Sequence, residues 1–260
     1  MALKIAQITD LHLAPGERKV HGMNPKKNLL LVLNSVKNFN PDIIALTGDV
    51  LHDEMDDEIY PWLKEQVDQC GSEVYIIPGN HDEVDSIKTY FNLPIPQGRG
   101  EIYYHIDHKE VVLAFLDTST RVVSQEQLEW LTKLCKDTEK EIILFMHHPP
   151  VLSGCRFMDT HFPLKNRKEV QDVLKQCVNI RHIFCGHYHT GKKIAWQDKF
   201  IYITASTIFQ IDEDAEGLEL ETHRIGWRTI EIREDGLYSS QVQLALSEGN
   251  EKIVFSPYTV

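Results

Sequence analysis

The chain has 260 residues, enough at about 150 per domain for one large or two ordinary domains with a full core. Hydrophobic residues make up 42%, charged residues 25% and aromatics 9%, which excludes disordered and fibrous classes. Twenty-seven Lys and Arg against 39 Asp and Glu leave a net charge of -12, a field that repels nucleic acid and anionic membrane. The five cysteines are scattered and never closer than eight residues, so they predict neither a disulfide framework nor a CxxC zinc site and fit a reducing compartment. The N-terminus lacks a basic segment followed by a long apolar one, and no run approaches about 18 apolar residues, which predicts a cytoplasmic protein without export signal or membrane anchor.

From the N-terminus, the run at 3 to 9 reads as a buried strand ending on Asp10 and His12. A helix follows from about Pro25 to Phe39, with Leu29, Leu30, Leu33 and Val36 as its apolar stripe. Strands at 42 to 48 and 73 to 79 come next, the first leading into Asp49 and the second into Asn80, His81 and Asp82. After a fourth strand at 111 to 117, a helix opens at Ser124, where Gln127 completes a capping box, and buries Leu128, Leu131 and Leu134. The fifth strand, 141 to 147, delivers His147 and His148. A helix carrying Val170, Val173, Leu174 and Cys177 at i, i+3, i+4, i+7 leads to the sixth strand, 182 to 187, which delivers His187 and His189. A seventh spans 200 to 206, and beyond it TIEIR and LYSSQVQL flank Asp235-Gly236, a β-hairpin signal.

This βαβ alternation predicts an α/β fold with a largely parallel sheet, whose ligands sit beyond the carboxyl ends of its strands. No linker, repeat or low-complexity stretch intervenes, so the chain reads as one domain over 1 to 260, with 207 to 260 as a β-rich C-terminal extension. The acidic runs at 53 to 58 and 212 to 221 read as a solvated loop and a helix N-terminus.

Thirteen histidines are the compositional anomaly. One Asp or Asn at a strand end is ordinarily a cap or a turn former. Five polar clusters at equivalent ends are different, because the sheet gathers Asp10, His12, Asp49, Asn80, His147, His187 and His189 into one pocket of metal-ligand residue types. A carboxylate can bridge two cations, imidazole suits manganese, iron, zinc or cobalt, and an amide oxygen adds a donor without charge. Two ions roughly 3.5 to 4 Å apart clamp the attacking and leaving oxygens of a phosphoryl displacement. Two carboxylates and a hydroxide leave such a pair net positive, which attracts phosphate.

D-x-H at Asp10 to His12, G-D at Gly48-Asp49, G-N-H-D at Gly79 to Asp82, M-H-H-P-P at Met146 to Pro150 and G-H-x-H at Gly186 to His189 together resemble the calcineurin-like metallophosphoesterases over roughly residues 3 to 207. The resemblance implies an αββα sandwich of two β-sheets flanked by helices. It also implies a first metal on Asp10, His12 and His189, a second on Asn80, His147 and His187, and Asp49 bridging them. In this scheme His81 is no ligand but faces the phosphate and assists the leaving group, while Asp82 orients or polarises its ring. His148 falls beside a ligand as a supporting or structural residue; His52 and His21 match no family ligand, although His21 is placed to line the substrate pocket.

QLEWL at 127 to 131, RFMD at 156 to 159 and AST at 205 to 207 with Gln210 are similar to class III cyclic nucleotide phosphodiesterases and their glycerophosphodiesterase relatives. The implied activity is hydrolysis of a small phosphodiester, a cyclic nucleotide foremost, by attack of a metal-held hydroxide. Glycerophosphodiesters, other diesters or a monoester are the alternatives, since substrate choice belongs to loops that spacing does not describe. The absence of basic stripes argues against long nucleic acid. A non-catalytic binding module on the same fold is the remote alternative, disfavoured by the intact ligand set. The resemblance further implies a homodimer or larger homo-oligomer.

Overall fold

Strands that are apolar along their whole length need cover on both faces, and the chain provides it by facing two sheets against each other beneath outer helices. The computed structural model describes residues 2–53, 56, 58–95, 100–109, 111–233, 236–246 and 256–258. In chain order β1 (Leu3–Ile8), β2 (Ile43–Thr47) and β3 (Glu73–Ile77) run parallel in a first six-stranded sheet. The second holds β4 (Tyr104–Asp107), β5 (Val111–Leu116), β6 (Glu141–Met146), β7 (Ile180–Cys185), β8 (Lys192–Trp196) and β9 (Lys199–Ile203) in the order 4-5-6-7-9-8. β10 (Gln210–Ile211) and β11 (Leu220–Thr222) form a small pair, and β12 (Arg224–Arg233), β13 (Gly236–Leu246) and β14 (Ser256–Tyr258) complete the first sheet beside β1. The helices are α1 (Pro25–Phe39), α2 (Ile59–Asp68), α3 (Val84–Tyr90), α4 (Gln125–Asp137), α5 (Arg156–His161) and α6 (Arg167–Gln176). Among the described residues no helix is long and apolar enough to cross a membrane.

The single largely parallel sheet that the alternation predicts is therefore corrected to two mixed sheets, as the family resemblance implies. The pattern is local, and it does not register that the chain leaves the first sheet after β3 and begins a second. Between the sheets the register places Tyr104, Phe115, Phe145, Phe184 and Tyr202 side by side on successive strands. Their rings stack at centroid spacings of 4.8, 4.9, 5.5 and 4.7 Å, an aromatic ladder across the second sheet.

α1 spans the predicted residues; Asn24 caps it by accepting from the Lys27 amide at 3.0 Å, and Asn40 ends it in a left-handed conformation. Its buried face is Leu29, Val32, Leu33 and Val36, whereas Leu30 is 45% exposed. One residue beyond Leu29, Leu30 is rotated about 100° off the stripe. The capping box at α4 is half formed. Ser124 Oγ accepts from the Gln127 amide at 3.3 Å, but the Gln127 side chain turns to Asp117, donating to its carbonyl and accepting from its amide, both at 2.9 Å.

The predicted hairpin is present, paired from Arg224↔Leu246 to Arg233↔Gly236, with Glu234 and Asp235 outside the described residues. β12 pairs antiparallel with β1, and buried Trp227 donates to Ser35 Oγ at 3.2 Å, so the C-terminal extension is built into the first sheet. Of the acidic run at 53 to 58, Glu54, Met55 and Asp57 lie outside the described residues. The run at 212 to 221, expected to open a helix, is instead the loop after β10 and the start of β11, where Asp212 accepts from the Asp214 and Ala215 amides.

Candidate metal centre

The carboxyl ends of β1, β2, β3, β6 and β7 meet at one rim of the sandwich, and the turns that leave β1, β2 and β7 are strained. Asp10, His12, Asp49, His187 and His189 all have left-handed backbones, φ 44 to 69°, a conformation costing a non-glycine residue about 1–3 kcal/mol. Loop-to-loop hydrogen bonds hold them there: the Asp10 amide donates to Gly48 O at 3.0 Å, His12 to Asp49 O at 2.9 Å and Gly186 to His147 O at 3.0 Å. Two glycines are required by close approach. A Cβ on Gly79 would lie 2.1 Å from Asp49 Oδ1, and one on Gly186 would lie 2.0 Å from Thr9 Oγ1 and 2.7 Å from Asp10 Oδ2.

The side chains gather into overlapping groups whose donor atoms lie within 4.8 Å of one another: Asp10, His12 and His189; Asp10, Asp49 and His147; His12, Asp49 and His81; and His147, His148 and His187. His12 Nε2 and His189 Nε2 face each other at 3.0 Å, and His189 Nε2 is 3.4 Å from Asp10 Oδ1. Asp49 Oδ2 is 3.2 Å from His147 Nε2 and 3.8 Å from His12 Nε2, so one oxygen faces both halves of the cluster. Backbone carbonyls select the ring nitrogens. His147 Nδ1 donates to Thr47 O at 2.8 Å and His187 Nε2 to Phe162 O at 2.9 Å, which turns His147 Nε2 to Asp49 and leaves the lone pair of neutral His187 on Nδ1.

The electrostatics suit cations. Asp10 and Asp49 are 0% and 2% exposed. Burial pushes both carboxyls up, but His189 at Asp10 and His147 at Asp49 outweigh it and hold each below the ordinary value. Burial depresses His12, reinforced by His189, and His187, reinforced by His147, each to about 3, so both are neutral as ligands must be. Burial would also lower His147, but Asp49 overrides it and raises it to about 9, so its Nε2 holds a proton toward Asp49 that a cation would displace. A donor set of two buried carboxylates and imidazoles with bare nitrogens fits metal cations.

Six of the seven residues expected as ligands, Asp10, His12, Asp49, His147, His187 and His189, are thus brought together. Asn80 sits on the exposed turn after β3, between Gly79 and His81, whose amide donates to Asp49 Oδ1 at 3.1 Å. His81 is exposed, and its Nδ1 donates to the carbonyl of His52. Asp82, expected to orient the His81 ring, has its hydrogen bonds elsewhere. Its Oδ1 accepts from the Leu51 amide at 3.0 Å and Tyr60 OH at 3.2 Å, and its Oδ2 from the Gly79 amide at 2.8 Å. Asp82 braces the turn, and the His52 carbonyl orients the His81 ring. A carboxylate follows the motif histidine in sequence, but three other donors reach it. Burial and then Asp49 raise Asp82 to about 6.

His148 enters further than its sequence position suggests. It is fully buried with Nδ1 2.8 Å from Thr118 Oγ1, and its ring centre is 4.1 Å from that of His187. His52 stacks parallel to His81 at 6.4 Å, and His21 packs edge-on against Phe209, which itself lies 4.7 Å from His189. The carbonyls of Thr47, His52 and Phe162 were beyond sequence reasoning, because no residue type marks a carbonyl that a histidine will reach.

Relatives share this chain over most of its length. A Fibrobacter succinogenes protein named "probable cyclic nucleotide phosphodiesterase" is 37% identical over 233 residues, 90% of this chain and 91% of the relative. The 3′,5′-cyclic adenosine monophosphate phosphodiesterase CpdA of Haemophilus influenzae is 30% identical over 250 residues, 93% of this chain and 89% of that one. Among solved structures, a dimetal phosphatase from Danio rerio superposes with a TM-score of 0.67 at 13% identity, covering 93% of this chain and 95% of the other, a likeness of fold. The calcineurin-like phosphoesterase model matches residues 3–191, the stretch that supplies every residue of the cluster, and the chain belongs to that family.

Proposed function

We propose that this chain is a two-metal phosphodiesterase whose substrate is a cyclic nucleotide. Asp10, His12 and His189 would hold one cation, Asn80, His147 and His187 the other, with Asp49 shared. The observation that carries the reading is the pair of buried carboxylates ringed by imidazoles with bare nitrogens. When bound, two such cations polarise the phosphoryl oxygens and lower the pKa of a water for in-line attack. His81 does the proton work: its amide is anchored on Asp49 and its Nδ1 on the His52 carbonyl, which leaves Nε2 to protonate the departing oxygen. The names of relatives matched over nine-tenths of the chain support the cyclic nucleotide. The net charge of -12 supports a small diester over long nucleic acid.

Reconstitution with manganese and assay across 3′,5′- and 2′,3′-cyclic nucleotides, a glycerophosphodiester and a monoester tests this. Two ions per chain, loss of activity on chelation, recovery with manganese and fastest turnover of a cyclic nucleotide are expected. Faster turnover of the glycerophosphodiester would reassign the substrate, and no metal-dependent hydrolysis of any would overturn the reading.

We further propose a homodimer in the cytoplasm. The first sheet ends on the short β14 and the second on β4 and β8, edges that a second copy can cover, and all five cysteines are free. Light scattering is expected to give twice the 30.0 kDa chain mass, and a 30.0 kDa particle across micromolar concentrations would refute the dimer.

A further inference from the structure

Arg121 lies in the loop between β5 and α4 with φ 63°, a left-handed conformation natural to glycine and costly to arginine. Its side chain explains the choice of residue. The guanidinium donates from one terminal nitrogen to the carbonyls of His161, at 2.9 Å, and Pro163, at 3.3 Å, and its carbon stands 5.5 Å from the centre of the Phe162 ring. These residues end α5 and follow it, where carbonyls have no partner within the helix. Farther along, the Lys165 amide donates to Arg121 O at 2.8 Å, and Asn166 exchanges two hydrogen bonds with the Val123 backbone, at 3.1 and 2.8 Å. Those bonds tie the far end of the segment. Among the described residues, Arg121 is the side chain that grips it on both sides of Phe162.

The carbonyl between the two gripped ones is the acceptor for His187 Nε2 at 2.9 Å. A carbonyl brings no proton, so the hydrogen sits on Nε2 and the lone pair is left on Nδ1 of a ring that groups with His147 and His148. We propose that Arg121 is a positioning residue for the cation site built on His187: by pinning the carbonyls of His161 and Pro163 it fixes that of Phe162, which sets the tautomer and plane of the His187 ring. The inference rests on the reading of His187 as a ligand.

Loss of the outer partner of a ligating imidazole weakens metal binding by about 10- to 100-fold. Arg121→Gly tests this cleanly, because glycine suits the backbone while removing the grip. Manganese titration of the metal-free protein by calorimetry is compared for the parent, Arg121→Gly, Arg121→Lys and His187→Ala, alongside thermal unfolding. Arg121→Gly is expected to melt with the parent, bind the first ion unchanged and bind the second about 10- to 100-fold more weakly. Arg121→Lys, a point charge without the planar fork, falls between, and His187→Ala takes up one ion. Parent-like binding of both ions by Arg121→Gly, with His187→Ala losing one, would overturn the role of Arg121 alone. Early melting with both ions weakened equally would make Arg121 a structural brace and overturn it too. Two ions retained by His187→Ala would remove the ligand reading and this inference with it.

Discussion

Asp49→Ala is expected to release both ions and to cost more turnover than loss of any other ligand. One oxygen of Asp49 faces His147 Nε2 at 3.2 Å and His12 Nε2 at 3.8 Å, and the other holds the His81 amide at 3.1 Å. The substitution therefore strikes both halves of the cluster and the turn carrying His81. Metal cations contribute several kcal/mol of charge stabilisation in the transition state, which at about 1.4 kcal/mol per decade makes the loss at least about 10³-fold. His12→Ala, which touches one half, should lose one ion and a smaller part of the rate. Elemental analysis together with kcat on a cyclic nucleotide checks both. An Asp49→Ala protein that keeps an ion and turns over no more slowly than His12→Ala would contradict the sharing of Asp49.

His81→Ala is expected to keep two ions and still lose about 10²- to 10⁴-fold in turnover of a cyclic nucleotide, the usual contribution of a positioned acid. The ribose alkoxide is a poor leaving group and needs a proton in the transition state, whereas a nitrophenolate leaves with little help. The loss on a nitrophenyl diester should therefore be much smaller, with substrate affinity nearly unchanged. Metal analysis matters because His81 lies within donor distance of His12 and Asp49. Loss of an ion in His81→Ala would make it a ligand, and equal losses on the two diesters would remove it as the leaving-group acid. Asp82→Asn should not reproduce this split, since Asp82 holds the Gly79 and Leu51 amides and not the imidazole.

The parallel strands could be read from the chain to within three residues because most of them are buried along nearly their whole length. Such a strand is apolar throughout, whatever packs against it, as β2 and β5 show. β4 and β8 lie at sheet edges with half their side chains in solvent, and His105 in one and Lys193 in the other hide them from the same reading. The ligand-type residues were equally legible, because imidazole and carboxylate carry their chemistry in the side chain, and the glycines beside them mark where backbone must approach. The partner of each imidazole was not. Whether His187 presents Nδ1 or Nε2 depends on the Phe162 carbonyl, 25 residues away in the chain, and Asp82 serves the turn instead of His81 because three donors from separate segments reach it. Residue type and periodicity are local properties, so they announce strands and ligands. Register between strands, the meeting of two sheets at one rim and the choice of ring nitrogen depend on distances between segments remote in sequence, which exist once the chain has folded.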